Sequence, residues 1–421
     1  MRKSLIHALD SSQLLRFNVF KFLAVSGFGP FEIYSLLFLS STVVLRLVFG
    51  LILIFGMIFS ILTGPFVGNL IDSYPRKRIL SILLYLWIFS CLGAFFLWKT
   101  IPDTQEFIIP ILLVFTDVTG GIFYSATRAL QQTITPMGNY GKSNAYSEIS
   151  GQLPSLIGAG TAIPFLLFIG PLYSPLLAVL FAVAGIILLR GMDEKFTPTH
   201  IGVRNMRREE RTLRFVKTHL SEVLFFYFLN FTFIAVMIGN FLKPVFIVEI
   251  LHGNAESISL SEIVYAVMGS TTGVILSLFH RGKSISILYL FIGIFGLGSL
   301  LIPISPDFAF FLAFQTLHGI GNPGARISRN TIIMHGVPPE MVGRFYAGIQ
   351  LLSNITRLVL LVAVTAAISY TGPGLLIELT GVMVIAAMLI STVLYFTRTG
   401  VRDVFNSSDN NRWFMTNAGH P

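Results

Sequence analysis

Two long apolar runs are joined by a short polar turn with the sequence Gly68-Asn69-Leu70-Ile71-Asp72-Ser73-Tyr74-Pro75-Arg76-Lys77-Arg78. The turn combines a small residue, an acid and a basic cluster. A glycine permits close packing of two membrane helices, and a carboxylate at a helix N-terminus is stabilised by the helix dipole. We therefore expect Gly68 to lie at a helix contact and Asp72 to meet a helix N-terminus, with Arg76, Lys77 and Arg78 on the cytoplasmic side.

The composition of the whole chain is that of an integral membrane protein. Of its 421 residues, 54% are hydrophobic and only 12% are charged, and the mean hydropathy is +0.77. Soluble chains carry about 25% charged residues. The single cysteine, Cys91, excludes a disulfide framework and a cysteine metal site. The chain is therefore predicted to be an all-α membrane protein.

The apolar runs predict twelve transmembrane helices, since each crossing needs about 20 residues. Their approximate bounds are 17–40, 45–68, 79–98, 107–127, 147–169, 172–190, 222–247, 260–279, 285–304, 308–328, 345–369 and 374–397. A longer polar segment divides them six to six. The predicted domains are a bundle over 1–190, a cytoplasmic linker over 191–221, a second bundle over 222–397 and a cytoplasmic tail over 398–421.

The basic residues predict the orientation of the chain. With a cytoplasmic N-terminus, Arg46 and Lys99 fall outside, Lys243 and Arg357 fall within spans, and the other 25 of 29 lie on the cytoplasmic side. This is the positive-inside pattern, so the net charge of +9 does not indicate nucleic acid. We expect a multi-pass plasma membrane protein with both termini cytoplasmic, and a first span too long for a signal peptide.

The two halves repeat each other weakly. Pro136 followed by Gly141-Lys142 recurs as Pro338 followed by Gly343-Arg344, at an offset of 202, and Gly68 with Arg76 recurs as Gly273 with Arg281, at an offset of 205. Many secondary transporters are built from duplicated bundles with the substrate site between them. The repeat therefore favours two pseudo-symmetric six-helix bundles.

The turn at 68–78 resembles the signature loop of the major facilitator superfamily: glycine, three residues, aspartate, a basic residue, any residue, glycine and two basic residues. Four residues match, namely Gly68, Asp72, Arg76 and Lys77, while Ser73 and Pro75 depart from the pattern. The resemblance implies the major facilitator fold. It also implies that this signature loop acts as a conformational latch, a contact that breaks and re-forms during transport. The other interpretation is that the basic residues only fix the topology.

Two further segments, 126–160 and 322–355, resemble the cytoplasmic ends of helices four and ten, and the following helices, in the branch that includes macrolide and siderophore exporters. The resemblance implies a cytoplasmic gate formed by Arg128, Arg329, Gly343 and Arg344. The glycines and prolines of the fifth helix, such as Gly158, resemble the pattern associated with antiporters in this superfamily.

Four ionisable residues stand out inside the predicted spans, where charge is costly unless it faces a cavity or a partner. They are Glu32, Asp117, His318 and Arg357. In the superfamily arrangement, helices one, four, seven and ten line the central cavity. The resemblance therefore implies that the two acids and the histidine serve proton coupling or substrate binding, with Arg357 pairing with a carboxylate. The alternatives are a structural role for Asp117, a solvated rim position for Glu32 and a carbonyl-bonded His318.

Other polar residues in the spans are expected to supply hydrogen bonds in the cavity. They are Asn230, Asn240 and Gln315. Lys243 lies near the outer end of the seventh span and is expected to extend towards the surface.

The sequence contains no metal-ligand cluster and no phosphate-binding glycine loop, so we expect neither an enzyme nor a cofactor or metal. The predicted function is proton-coupled export of a small amphipathic or hydrophobic compound by a secondary transporter. Its partners are the solute, protons and membrane lipids, with no nucleic acid, and it is expected to be a monomer. The alternatives are an uptake symporter or uniporter for a sugar or organic acid, and a polytopic membrane enzyme.

Overall fold

The computed structural model describes residues 2–134, 140–194, 218–279, 285–337 and 339–397. These ranges are almost entirely helical. The helices are α1 (Arg2–Ser26), α2 (Gly29–Ser40), α3 (Val43–Ser73), α4 (Arg76–Thr100), α5 (Gln105–Ile134), α6 (Tyr140–Phe168), α7 (Ser174–Arg190), α8 (Leu220–Phe228), α9 (Phe231–Glu249), α10 (Ala255–Phe279), α11 (Ile285–Leu301), α12 (Phe308–Gly336) and α13 (Pro339–Thr397).

These helices account for the twelve predicted spans. Nine segments in the described ranges are long and apolar enough to cross a membrane. The last of them, Gly348–Thr397, contains a turn at Gly372 and therefore provides two crossings. Two more crossings come from α6 and α12. Each of these helices has 29 residues, and about 20 residues suffice to cross the hydrocarbon region. The predicted fold class, an all-helical membrane protein of the twelve-helix kind, is confirmed.

Two of the spans are interrupted helices. The first consists of α1 and α2, which are separated at Gly27, and the seventh consists of α8 and α9, which are separated at Asn230. Beyond the first interruption, Gly29 lies directly against the backbone of Gly158 in α6. A β-carbon at Gly29 would overlap the Gly158 backbone, and a β-carbon at Gly158 would lie 3.1 Å from the Gly29 Cα atom, which is a tight contact. Both positions therefore need glycine for close helix packing.

The chain divides into two compact units. Unit 1 comprises Met1–Gly202 with His252–Ala266, and unit 2 comprises Val203–Leu251 with Val267–Pro421. The N-terminal part of α10 thus belongs to unit 1 although it follows the seventh span. The domain bounds 1–190, 191–221, 222–397 and 398–421 stay predictions.

Each unit has an aromatic core. In unit 1 the ring of Phe123 lies 5.8 Å from that of Phe20 and 5.0 Å from that of Trp87. In unit 2 the rings of Phe226 and Phe345 meet edge to face at 5.4 Å. All five side chains are buried. Aromatic pairs of this kind stabilise a core beyond the burial of their area.

Two turns, one in each half of the chain, have the same backbone geometry. Gly170 has φ +95° and Gly372 has φ +73°, values that glycine adopts without strain. Each is followed by a proline, Pro171 or Pro373, which is well suited to a helix start. Both turns lie between predicted helices, the first between 147–169 and 172–190 and the second between 345–369 and 374–397. Their separation of 202 residues equals one offset of the sequence repeat.

The eighth span begins earlier than predicted. Its helix α10 starts at Ala255 rather than near residue 260, because Asn254 caps it: the Asn254 Oδ1 accepts a hydrogen bond from the Ser257 N–H at 3.1 Å. The helix therefore begins more than one turn before the approximate start of the predicted span. As a result, Glu262 lies two turns inside the helix instead of at its end.

Candidate functional site

Most of the signature loop is helical. Residues 68–73 form the end of α3, and only Tyr74 and Pro75 separate it from α4. α4 begins at Arg76 with Pro75 as its N-cap residue, and Pro75 has no side-chain group to cap the helix. The first N–H groups of α4 therefore need acceptors from elsewhere in the protein.

The carboxylate of Glu194, just after α7, supplies those acceptors. Its Oε1 accepts a hydrogen bond from the Arg76 backbone N–H at 2.8 Å, and its Oε2 accepts one from the Lys77 N–H at 3.0 Å. The Arg76 guanidinium lies 3.9 Å from the same carboxylate, and the Glu194 side chain is only 3% exposed. A negative charge is favoured at this position by the helix dipole. Glu194 therefore caps α4 with charge-assisted hydrogen bonds.

Beside this cap, basic side chains bind carbonyl groups at the C-terminus of α7. Lys77 Nζ donates to the carbonyl of Arg190 at 3.3 Å and to that of Met192. Arg16 Nη1 donates to the carbonyl of Gly191 at 2.9 Å. Cations are favoured at a helix C-terminus, where carbonyl groups lack partners. Arg16 of α1, the start of α4 and the segment after α7 are thus tied together within unit 1.

Several predicted residues lie outside the part of the chain whose side chains are described. These are Gly68 and Asp72 of the signature loop and Gly343 and Arg344 of the predicted gate. The latch contact of Asp72 therefore stays a prediction, as does the gate. Arg78 is exposed at the start of α4.

The two described arginines of the predicted gate differ in their surroundings. Arg128 is exposed, and its Nη2 donates to the Tyr124 hydroxyl at 2.6 Å while its guanidinium lies 5.1 Å from the centre of the same ring. Arg329 is buried, and its Nη1 donates to the carbonyl of Leu229 at 3.4 Å. Arg329 thus joins α12 to the interruption of the seventh span.

Asp117 lies near the middle of α5 and is exposed. Its carboxylate lies against Gly56 of α3, and any side chain at residue 56 would occupy the space of that carboxylate. Arg357, its predicted partner, belongs to unit 2, where its guanidinium lies 5.4 Å from the ring centre of Phe233. The pairing of Asp117 with Arg357 stays a prediction.

Glu32 lies in the first turn of α2 and is exposed. Glu262 of α10 is close enough for its charge to repel that of Glu32. Both belong to unit 1 and to segments apolar enough to cross a membrane, Gln13–Ser40 and Ala255–Leu276. The sequence interpretation missed Glu262 because it placed this acid at the helix end.

Lys21 is a second residue that the sequence interpretation missed. It lies inside the first span, partly buried in α1, although the count of basic residues had placed it on the cytoplasmic side. The signal was present in the sequence, since Lys21 interrupts an apolar run that continues on both sides. A charge within such a run requires a partner or water.

His318 is buried between α11 and α12. Its Nε2 and the Ser299 hydroxyl form a hydrogen bond of 2.8 Å, and its ring stacks on Phe295 with centroids 4.4 Å apart and planes at 17°. The imidazole is 5% exposed. The expected structural interpretation, a bond to a carbonyl, is therefore replaced by a bond to a hydroxyl.

The predicted cavity residues also differ from one another. Asn230 is buried and donates from Nδ2 to the Ser353 hydroxyl at 2.8 Å, whereas Asn240 is exposed. Gln315 is fully buried, and neither of its amide atoms has a hydrogen-bond partner in the described ranges. Lys243 does not extend to the surface as expected but is buried, at 4% exposure.

Solved structures with the same fold are membrane transporters. A bacterial homologue of the iron transporter ferroportin matches with a TM-score of 0.67 and 14% identity, over 91% of this chain and 98% of that chain. A D-xylose-proton symporter matches with a TM-score of 0.64 and 16% identity, over 92% of this chain and 97% of that chain. A nucleoside transporter matches at 0.63 and 11%, over 91% of this chain and all of that chain.

The sequence comparisons give the family. No curated protein sequence matches the chain. A family model described as Major Facilitator Superfamily matches residues 19–361, which is most of the chain. Together with the fold, this match indicates a multi-pass membrane protein that transports small molecules, rather than an enzyme. The chain belongs to the major facilitator superfamily.

Proposed function

We propose that the protein exports a small amphipathic or hydrophobic compound in exchange for protons, by alternating access of its two six-helix bundles. Transport follows from the family. Export is supported by the resemblance of segments 126–160 and 322–355 to those of exporters. Proton coupling is supported by the acids inside the spans of unit 1.

The feature that carries proton coupling is the electrostatic repulsion between the charges of Glu32 and Glu262. The repulsion between two carboxylates is removed when one of them binds a proton. Charge inside a membrane span is also costly, so such residues are retained for a function such as proton transfer. Glu32 and Glu262 lie on different helices, α2 and α10, so a movement between these helices changes the repulsion between the two charges.

Asp117 is the second proposed coupling site. It is exposed near the middle of its span, and the absence of a side chain at Gly56 leaves room for its carboxylate. A carboxylate with access to water in a span can take up and release a proton. If Arg357 approaches it in one state of the transport cycle, the ionised form is favoured in that state.

Proton exchange is measured in everted membrane vesicles with an acidic lumen. Acridine orange reports the pH gradient, and a panel of ethidium, rhodamine 6G, cholate and benzoate supplies test compounds. An exporter that exchanges protons for a member of the panel releases protons when that compound is added. Uptake by symport would instead acidify the lumen of right-side-out vesicles when the compound is added. Comparing the everted and the right-side-out vesicles therefore decides the direction of transport.

The acids are tested by three variants in these vesicles. We expect Glu32→Gln and Glu262→Gln to abolish proton release, while exchange of labelled for unlabelled compound without a gradient persists. Asp117→Asn is expected to behave in the same way. Glu256→Gln, on the same helix as Glu262 but in its first turn, is the matched control and should retain proton release. Full proton release by both glutamine variants contradicts the proposed role of the pair.

A further inference from the structure

Two helices of unit 2, α9 and α12, pack against each other in antiparallel orientation. The rings of Phe246 and Phe311 stack with centroids 6.0 Å apart. At the other end, the carbonyl of Leu229, just before α9, accepts the hydrogen bond from Arg329. Going from the first contact to the second, residue numbers fall along one helix and rise along the other. These two contacts fix which residues of α9 and α12 lie at the same height.

Lys243 and Gln315 lie at the same height on these two helices. Lys243 is one turn before Phe246 on α9, and Gln315 is one turn after Phe311 on α12. Because the two helices are antiparallel, both residues are displaced from the Phe246–Phe311 contact towards the same end of the helix pair. Lys243 is 4% exposed and Gln315 is fully buried. The contact therefore holds a lysine and an amide side chain away from the surface of the unit.

The amide of Gln315 is the unusual feature of this place. Neither its Nε2 nor its Oε1 has a hydrogen-bond partner in the described ranges. Leaving a buried amide unbonded is costly, so such a group normally has a partner from the protein, from water or from a ligand. One turn further along α12, His318 lies within electrostatic range of Lys243. The surroundings thus contain a cation, Lys243, together with an amide, Gln315, that has no hydrogen-bond partner in the described ranges.

We propose that Lys243 and Gln315 bind the carboxylate of an organic solute. This assignment rests on the proposed transport function and names the substrate class of the transporter. The ammonium group neutralises one negative charge, and the amide N–H group donates to a carboxylate oxygen. The buried rings of Phe246 and Phe311 beside them suit the apolar part of an amphipathic molecule. One lysine matches a monoanion better than a phosphate dianion, which needs more donors.

Binding is tested on the purified full-length protein in lipid nanodiscs, with thermal stability as the readout. The probes are sodium benzoate, the uncharged benzamide of similar shape, sodium chloride and sodium phosphate. Benzoate is expected to raise the unfolding temperature with a saturable dose dependence, and benzamide is expected to act at least about tenfold more weakly because it lacks the charge. An equal effect of chloride or phosphate overturns the assignment to an organic carboxylate, as does no effect of benzoate.

The residues are tested by Lys243→Gln and Gln315→Leu, with Lys99→Gln as the control because Lys99 is an exposed lysine of unit 1. Both site variants should lose the saturable benzoate effect, and the control should keep it. Gln315→Glu places a negative charge beside Lys243 with little change of shape, so it tests the site even if Gln315→Leu folds poorly. Wild-type benzoate binding by Lys243→Gln and Gln315→Glu refutes the proposal.

This assay is independent of proton coupling. If benzoate binds as expected but the vesicles show no exchange of protons, the proposed function fails and the site remains. If exchange occurs with other compounds and benzoate does not bind, the site fails and proton-coupled transport remains.

Discussion

Removal of the Glu194 carboxylate should destabilise unit 1 measurably. Glu194→Ala eliminates two hydrogen bonds of 2.8 and 3.0 Å to the first N–H groups of α4, and it removes the negative charge beside Arg76. A hydrogen bond to a charged group is worth about 1.5 to 3 kcal/mol, and a charge at a helix N-terminus about 0.3 to 2 kcal/mol. Water reaches part of the vacated space because Arg76 is partly exposed. We therefore expect a loss of about 2 to 4 kcal/mol.

The loss is measured by unfolding the protein in mixed micelles with increasing dodecyl sulfate. Trp87 and Trp98 lie on α4, so tryptophan fluorescence reports on the helix that Glu194 caps. Glu194→Gln keeps one acceptor without the charge and should lose about half as much.

The matched control is Asp193→Asn. Asp193 is adjacent and exposed, and its carboxylate accepts one long hydrogen bond of 3.4 Å from Gln13. Exposed pairs of this kind contribute little to stability, so the free energy of unfolding of the control should stay within about 0.5 kcal/mol of that of the wild type. If Glu194→Ala is as stable as the control, the hydrogen bonds and the charge of Glu194 do not stabilise unit 1 as we expect.

Two further predictions concern topology and packing. In a Cys91→Ser background, single cysteines at Asp103 and Asp193, both exposed, should react differently with an impermeant thiol reagent added to intact cells: only residue 103 should be labelled, and the reverse pattern refutes the orientation. Gly158→Leu should destabilise the fold by about 1 to 3 kcal/mol or more because it forces two backbones apart. Gly160→Leu, with open space around it, should be tolerated, and equal stability of the two variants contradicts the packing argument.

The spans could be predicted from the sequence because each depends on a local property. A run of about 20 apolar residues is visible directly, and so are the Gly-Pro turns at residues 170 and 372. The start of α10 was not found because a single side chain, that of Asn254, decides it. Such a cap shifts a helix end by a turn without changing the average hydropathy of the segment.

The candidate site was less predictable, because its contacts join distant parts of the chain. The signature loop indicated that a carboxylate meets a helix N-terminus, and the sequence offered Asp72 from the same loop. The described contact comes from Glu194, which lies 118 residues from Arg76. The proximity of Glu32 and Glu262 likewise depends on the packing of helices far apart in sequence. Local patterns identify the residue types, whereas only the fold determines which residues meet.

The proposed coupling acids and the proposed carboxylate site lie in different units. Glu32, Glu262 and Asp117 belong to unit 1, whereas Lys243 and Gln315 belong to unit 2. An exchanger needs proton binding and solute binding to exclude each other, and this coupling requires that both bias the same conformational equilibrium. A variant of the acids should therefore change proton release without abolishing benzoate binding, whereas a variant of Lys243 should lose benzoate binding and, with it, any proton release that benzoate drives. If the acid variants lost benzoate binding as well, the assignment of proton binding and solute binding to different residues would be wrong.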